Sequence, residues 1–253
     1  MKKTILITGC TSGFGKAIAE KFAAAGHRLI ITGRRQQRLD EVKAQLQNDY
    51  KVDVVALCFD IRDRKACFDA VDSLEKDWKQ IDVLVNNAGL AAGRDTYDNA
   101  DLDDWDIMLD TNVKGLNYIS KAVIPFMRDR KQGHIINIGS IAGREVYQSG
   151  NGYCASKFAV EAITQSMRID LLPHNIKVTG IHPGAAETEF SLVRFKGDEE
   201  KANAMYKGFT PLSADDVAEV VYYVTTMPAH VCINDLVIMP TAQASTIYFH
   251  KQS

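Results

Sequence analysis

The sequence predicts one doubly wound α/β domain, with a parallel sheet of seven strands and helices on both faces. Short apolar segments of strand length alternate with segments of helical spacing along the whole chain. A glycine-rich turn joins the first strand-like segment to the first helical one. No low-complexity linker interrupts the 253 residues, so we expect a single domain over 1–253.

The first pair of elements is the segment TILITGCTSGFG and the helical segment that follows it. Thr4–Thr8 has the apolar character of a buried strand, and three glycines follow it. Gly9 permits a sharp turn, Gly13 allows the backbone to approach a pyrophosphate, and Gly15 allows close packing of helix on strand. The N–H groups of the first helical turn would then face the phosphates. Glycine is also common at strand-to-helix turns that bind no nucleotide.

The remaining elements follow in order along the chain. We expect six more strands in HRLIITGRR, VDVVALCFD, IDVLVNNAG, GHIINIGS, NIKVTGIHPG and LVIMP. Helices are expected at about 34–47, 63–78, 102–130 with an interruption near Pro125, and 152–172, and a last one begins at Ser213. Ligands of such sheets bind beyond the carboxyl ends of the strands. This edge is expected to collect Gly9 to Gly15, Arg34, Asp60, Asn87, Ser140 and Pro183.

The composition argues against several classes of function. Apolar residues make up 46% and charged residues 25%, and the formal net charge of −2 favours neither nucleic acid nor a membrane as partner. The apolar run near the start ends at Gly9, too early for a secretion signal, so we expect a cytoplasmic protein. The five cysteines are scattered without metal-ligand spacing, and we expect no metal site.

Arginines follow the second predicted strand, which ends in Thr32-Gly33-Arg34-Arg35, and Arg38 lies one turn later. In a dinucleotide fold this position meets the adenosine ribose, where an acidic side chain would bind the 2′-hydroxyl of NAD. Guanidinium groups suit a 2′-phosphate instead. The sequence therefore favours NADP over NAD. Under the alternative interpretation these arginines are solvated residues at a helix start, where cations oppose the helix dipole.

A second group of residues suits proton transfer. Ser140 closes a predicted strand, and Tyr153 and Lys157 are four residues apart, so they share one face of a helix. A nearby ammonium group is expected to lower the pKa of Tyr153 from its ordinary value of about 10. Tyr153 could then exchange a proton with an alcohol or carbonyl whose oxygen Ser140 polarises. Most tyrosine–lysine pairs at this spacing are surface neighbours, and the accompanying motifs favour the chemical interpretation here.

Taken together, these motifs resemble those of the short-chain dehydrogenase/reductase family over nearly the whole chain. The matching segments are TGCTSGFG, NNAG at 86–89, YCASK at 153–157 and HPG at 182–184, with Asn112 and Ser140. The resemblance implies a Rossmann-like fold, a nicotinamide cofactor and an oxidoreductase acting on CH–OH donors. Tyr153 would be the acid/base, Ser140 would orient the substrate oxygen, and Lys157 would bind the nicotinamide ribose. Asn112 would lie at a distortion in the long helix and hold a water of a proton relay.

The resemblance also implies which residues bind the cofactor. These are Gly9, Thr11, Ser12, Gly13, Phe14, Gly15, Arg34, Arg35, Asp60, Ile61, Asn87, Ala88, Gly89, Tyr153, Lys157, Pro183, Gly184, Ala186 and Thr188. Many members that use NADP carry a basic residue where this chain has Ser12. The choice of NADP would therefore rest on Arg34 and Arg35.

A narrower resemblance concerns the substrate. TGRRQQRL, GHIINIGS, TEFSLVRFKGD and MPAHVCINDLVIMP resemble the NADP-dependent 3-hydroxy acid dehydrogenases, which implies serine, allo-threonine or 3-hydroxypropionate as substrate. Members of the family place a substrate lid at about 187–210. Arg144 and Arg194 are the preferred candidates to pair with the substrate carboxylate, while Ser140 and Tyr153 bind its hydroxyl. Glu145 could neutralise Arg144, and cations in loops usually face water.

Two alternative functions stay open at this point. A general NADPH-dependent carbonyl reductase of neutral ketones or aldehydes would need neither Arg144 nor Arg194. A non-catalytic NADP sensor would not need Tyr153. His182 is interpreted as a structural histidine rather than a catalytic base. Because members of the family are commonly tetramers, the resemblance also implies a homotetramer, with a small-molecule substrate as the other partner.

Overall fold

The computed structural model describes residues 2–251 and contains the predicted parallel sheet. Its strands are β1 (Thr4–Ile7), β2 (Arg28–Gly33), β3 (Val54–Cys58), β4 (Val83–Asn86), β5 (Gly133–Ile138), β6 (Ile176–Pro183) and β7 (Asp235–Ile238). They lie in the order β3-β2-β1-β4-β5-β6-β7, and all neighbours are parallel. The strand order reverses between β1 and β4, the place where doubly wound sheets bind their ligands.

Helices cover both faces of this sheet. They are α1 (Gly13–Ala24), α2 (Gln36–Tyr50), α3 (Arg64–Asp72), α4 (Leu102–Leu109), α5 (Leu116–Arg130), α6 (Asn151–Leu171), α7 (Glu189–Arg194), α8 (Glu199–Ala204) and α9 (Ala214–Thr225). Among the helices of residues 2–251, none has both the length and the apolar content needed to span a bilayer.

Alternation along the strands builds a core on each face. Ile5 and Ile7 of β1 belong to the cluster that packs α1, α2 and α9 against the sheet. Leu6, between them, belongs to the cluster on the opposite face with α3 and α5. Successive side chains of a strand point to opposite faces, so a strand buried on both sides is apolar throughout. The fold class predicted from the sequence is confirmed.

The predicted interruption of the long helix near Pro125 is wrong. Pro125 lies inside α5, where the buried Val123 and Met127 pack the helix against the sheet on either side of it. The interruption lies earlier, at Asp110–Gly115, a π-helical turn between α4 and α5. Such turns insert an extra residue into a helix and often occur at functional sites. Asn112 lies in this turn and is buried.

The predicted helix at 63–78 is also shorter in the structure. It begins at Arg64 after Asp63, whose side chain accepts the Ala66 N–H, and it ends at Asp72. The ammonium of Lys79 donates a 2.8 Å hydrogen bond to the Asp72 carbonyl oxygen, which satisfies a backbone acceptor at the helix end. The apolar spacing beyond this point therefore belongs to a turn and not to a further helical segment.

Candidate active site

A cavity of about 410 Å³ lies at the carboxyl edge of the sheet, over the reversal between β1 and β4. Most residues predicted to bind cofactor or substrate line it. Gly15, Asn112 and Arg144 are the predicted residues that do not. The strand ends bring together side chains that are far apart in the sequence, as the topology predicts.

The turn between β1 and α1 forms a cradle that fits a pyrophosphate. Gly9 and Gly13 have φ values of 73° and 52°, which other residues rarely adopt. A Cβ on Gly15 would lie 2.2 Å from the Gly9 carbonyl oxygen, so a side chain there would force helix and strand apart. Ser12 caps α1 without a side-chain hydrogen bond to it. The first N–H groups of α1 are thus unoccupied by a cap and suit an anion.

Three arginines lie beyond β2 at the adenosine end of the cavity. Arg34 and Arg35 line the cavity and are exposed. The Arg35 guanidinium donates to the hydroxyl of Thr11 at 2.6 Å and to that of Ser12 at 3.2 Å. Ser12, at the position that is often basic in the resembling family, thus contacts Arg35 through its hydroxyl.

Glu189 of α7 lies against the same arginines. Its two carboxylate oxygens each accept a 3.1 Å hydrogen bond from Arg38, and one lies 3.6 Å from Arg35. Glu189, in the segment expected to form the substrate lid, therefore pairs with Arg38 and lies near Arg35, which the sequence assigns to the cofactor phosphate. This competition was not predicted, because Glu189 and Arg38 are distant in sequence.

Ser140, Tyr153 and Lys157 all line the cavity. Lys157 is buried, and its ammonium donates a 2.9 Å hydrogen bond to the Ile138 carbonyl oxygen at the end of β5. It lies 5.9 Å from the centroid of the Tyr153 ring. The Ser140 hydroxyl accepts the Ala142 N–H at 3.1 Å, which fixes this oxygen at the cavity wall. The structure thus brings together the three residues that the sequence predicts for proton transfer.

The predicted direction of the Tyr153 pKa is wrong for this arrangement. Burial raises the pKa of Tyr153, because the phenolate is poorly solvated in the cavity wall, and nearby Tyr147 adds to the effect. A hydrogen bond from Ser140 and the charge of Arg194 both lower the pKa of Tyr153. Burial also lowers the pKa of Lys157 to about 8. Desolvation therefore dominates the pKa of Tyr153, and the lowering effects come from Ser140 and Arg194 and not from Lys157.

Asn112 holds the backbone after β4 in place. Its amide oxygen accepts the Leu90 N–H at 2.8 Å, and its amide nitrogen donates to the Leu90 carbonyl oxygen at 2.8 Å. The same nitrogen donates to the Ser156 hydroxyl at 3.0 Å, on the helix that carries Tyr153. Asn112 thus connects the cavity wall after β4 with α6.

Arg144 lies outside the cavity, although the sequence suggests it as a substrate ligand. Its guanidinium lies 3.2 Å from Asp235 and 3.7 Å from Glu161, and 3.2 Å from His182. Glu161, His182 and Asp235 bring possible metal ligands within 4.8 Å of one another, and the charges of the two carboxylates are balanced by Arg144 and, at Asp235, also by Arg168. Burial, followed by the charge of Arg144, lowers the pKa of His182, which suits the structural role predicted for it.

Arg194 is the predicted substrate cation that the structure places at the cavity. It is 6% exposed, and its guanidinium carbon lies 5.6 Å from the centroid of Tyr153 and 5.5 Å from that of Tyr147. Phe190, one turn earlier in α7, packs edge-on against Tyr153 at 5.5 Å. Within residues 2–251 no carboxylate forms a salt bridge with Arg194. This end of the cavity therefore carries a buried positive charge next to Tyr153.

Several residues of the site were missed from the sequence. Arg94 and Tyr147 line the substrate end, and Gln243 accepts the Ala185 N–H at 2.7 Å, which holds the segment after β6. Gln243 and Tyr147 carry no motif that could have identified them. Arg94 could have been suspected as a cation in the loop after the NNAG motif.

A tyrosine beside a serine and a buried lysine, next to a turn that fits a pyrophosphate, is the arrangement expected of a dinucleotide-dependent oxidoreductase. The chain matches the family model of short chain dehydrogenases over residues 3–198. It is 46% identical over 241 residues to the NADP-dependent 3-hydroxy acid dehydrogenase YdfG of Salmonella typhi, covering 95% of this chain and 96% of the relative. The protein belongs to the short-chain dehydrogenase family, as predicted.

Two further similarities extend over nearly the whole chain. The sulfoacetaldehyde reductase 2 of Chromohalobacter salexigens is 45% identical over 245 residues, which cover 96% of each chain. Among solved structures, the closed form of serine dehydrogenase complexed with NADP⁺ has a TM-score of 0.91 at 45% identity, and the match covers 98% of this chain and 100% of that one. The resemblance found in the sequence to the 3-hydroxy acid dehydrogenases is confirmed.

Proposed function

We propose that the protein is an NADP-dependent oxidoreductase that oxidises a small 3-hydroxy acid, such as serine, allo-threonine or 3-hydroxypropionate. The observation that carries this proposal is the buried Arg194 beside Tyr153. A buried guanidinium without an acidic partner is costly, and a substrate acid group at this place would neutralise it. The relatives named above also act, by their names, on small molecules with an acid group.

NADP is the cofactor that the cavity residues fit. The cradle of Gly9 and Gly13 would hold the pyrophosphate, and Arg34 and Arg35 would bind the 2′-phosphate. The names of a 46% identical relative and of a structural neighbour also include NADP. Bound NADP would accept the hydride from the hydroxyl-bearing carbon of the substrate.

Tyr153 moves the matching proton. In oxidation its phenolate accepts the hydroxyl proton of the substrate, and the product is a 3-oxo acid. Ser140 donates a hydrogen bond to the same substrate oxygen and orients it. Lys157, anchored on the Ile138 carbonyl oxygen, keeps a cation near the phenolate when protonated. In the reverse direction the Tyr153 phenol returns the proton to the carbonyl oxygen.

The segment 187–210 is proposed as the substrate lid. It includes α7 and α8, and its residues Phe190 and Arg194 contact the ring of Tyr153. The cytoplasmic location stays a prediction from the sequence, and the homotetramer stays a prediction from the family resemblance. At the C-terminal tail, Ile247 and Tyr248 are 73% and 71% exposed, which supports a subunit contact there. Light scattering on the purified protein would give its mass in solution.

The test of the proposed function compares a free acid with its neutral amide. We expect kcat/KM for 3-hydroxypropionate to exceed that for 3-hydroxypropionamide by about 10-fold to 100-fold, the range of a charged hydrogen bond. In Arg194→Met the preference should disappear. Arg144→Met is the matched control, because Arg144 lies outside the cavity. If wild-type enzyme oxidises the amide equally well, the protein is a general carbonyl reductase and the proposal is wrong.

A further inference from the structure

Arg94 is a second cation at the substrate end of the cavity, and the proposed function does not use it. We infer that Arg94 and Arg194 together form an anion site that selects substrates with a tetrahedral acid group of three oxygens, a sulfonate or a phosphonate, over a carboxylate. This inference rests on the proposed function, because it needs a substrate that carries an acid group. Arg94 would then determine specificity, whereas Arg194 would anchor any acid.

The two arginines are held side by side by the backbone. The Gly93 N–H donates a 3.0 Å hydrogen bond to the Arg194 carbonyl oxygen, and the Arg194 Nε donates to the Gly93 carbonyl oxygen at 3.4 Å. The loop after β4 is thus connected in both directions to the end of α7. Both guanidinium carbons lie over the ring of Tyr147, at 5.9 Å for Arg94 and 5.5 Å for Arg194.

Neither charge is compensated by an acidic side chain of residues 2–251, since no carboxylate there forms a salt bridge with either arginine. A nitrogen of Arg94 lies 2.8 Å from the thioether sulfur of Met205, which is a weak acceptor. Arg94 is exposed at the cavity rim, and its partial desolvation there, followed by the charge of Arg194, lowers its pKa. Two adjacent cations that repel each other at a cavity wall favour an anion that contacts both.

The geometry of the acid group distinguishes the candidate anions. A carboxylate that pairs side-on with one guanidinium uses both of its oxygens in one plane. A tetrahedral group pairs in the same way through two oxygens and keeps a third oxygen outside that plane. Because the Arg194 Nε is occupied by Gly93, Arg194 can offer its terminal N–H groups to two of the oxygens. The third oxygen would then bind Arg94.

The experiment uses three alcohols with the same two-carbon skeleton: 3-hydroxypropionate, 2-hydroxyethanesulfonate and 2-hydroxyethylphosphonate. They differ only in the acid group, so the number of bonds from the hydroxyl to the acid group is constant. With NADP⁺ we expect kcat/KM for the sulfonate to exceed that for the carboxylate by about 10-fold, the value of one added charged hydrogen bond. The ranking of sulfonate and phosphonate identifies which tetrahedral acid the site prefers.

Variants of Arg94 link this preference to the residue. Arg94→Met, which replaces the cation by an apolar side chain, should lower the sulfonate-to-carboxylate ratio by about 10-fold. Arg94→Lys keeps the charge without the planar fork and should give an intermediate ratio. Arg144→Met should keep the wild-type ratio. Calorimetric binding of 2-hydroxyethanesulfonate to the enzyme with NADP⁺ gives a second readout that is independent of turnover.

Three results would overturn the inference. Wild-type enzyme could prefer the carboxylate, Arg94→Met could keep the wild-type ratio, or the phosphonate alone could exceed the carboxylate, which would show that charge and not the third oxygen decides. In each case the preference for acid over amide tests the proposed function separately. If that preference holds while the ratio does not depend on Arg94, only the inference fails.

Discussion

Arginines lie at both ends of the cavity, but their positive charges are compensated differently at the two ends. At the cofactor end, Arg35 and Arg38 are exposed and lie beside the carboxylate of Glu189. At the substrate end, Arg94 and Arg194 both lie over the ring of Tyr147. Neither arginine forms a salt bridge with an acidic side chain of residues 2–251. Water and a protein carboxylate stabilise the first pair. At the substrate end Arg94 is also exposed to water, whereas Arg194 is buried without an acidic partner among the described residues and depends on a ligand. Substitutions should therefore have larger effects at the substrate end than at the cofactor end.

The largest effect is expected where the two ends meet, at Tyr153. Tyr153→Phe should lower kcat by about 10²-fold to 10⁴-fold, the contribution of a positioned acid/base. The affinity for NADP⁺, measured by calorimetry, should change little, because the hydroxyl that is removed acts on the substrate oxygen. Tyr223→Phe, on the exposed side of α9, is the control. Full turnover in Tyr153→Phe would contradict the assignment of the acid/base.

The cofactor end was largely predictable from the sequence, because its signals are local. The turn from Gly9 to Gly15 is one continuous segment whose backbone requirements appear directly as glycines. Tyr153 and Lys157 are four residues apart on α6, so their common face follows from helix geometry alone. The inner strands were predictable for the same reason, since burial on both faces makes strands such as β1 and β4 largely apolar.

The substrate end was only partly predictable, because it depends on contacts between distant segments. Arg94 and Arg194 are a hundred residues apart, and they meet because Gly93 bonds to the backbone of α7. Arg144 seemed an equal candidate in the sequence, but its charge is paired with Asp235 of β7 and Glu161 of α6. The packing of the fold decides which acidic side chain neutralises each arginine. The spacing of residues along the sequence does not predict these ion pairs.

The next effect concerns the choice of cofactor. Replacing both Arg34 and Arg35 by alanine should lower the preference for NADP⁺ over NAD⁺ by about 10-fold or more, because each arginine can donate charged hydrogen bonds to the 2′-phosphate. The measurement is kcat/KM for both cofactors at saturating substrate. NAD⁺ is the internal control, since it lacks the 2′-phosphate and its kcat/KM should stay near the wild-type value. An equal loss with both cofactors would indicate damage to the fold instead.

The pH dependence of oxidation links the two ends. Oxidation needs the Tyr153 phenolate, so its rate rises with pH, and burial, which raises the pKa of Tyr153, places this rise on the alkaline side. Arg194 lowers the pKa of Tyr153, so Arg194→Met should move the rise to higher pH. The measurement is kcat against pH with 3-hydroxypropionamide, which does not need Arg194 for binding. An unchanged profile would show that Arg194 acts only on the acid group.

The smallest effect is expected from Glu189, the carboxylate that competes for the cofactor arginines. Glu189→Gln should tighten NADP⁺ binding by about 2-fold to 5-fold, the value of an exposed ion pair, and less at high salt. NAD⁺ binding should not change, because the competition concerns the 2′-phosphate. Glu187→Gln, in the same segment but outside the cavity, is the matched control. Weaker NADP⁺ binding in Glu189→Gln would mean that Glu189 instead orients Arg35 and Arg38 for the phosphate.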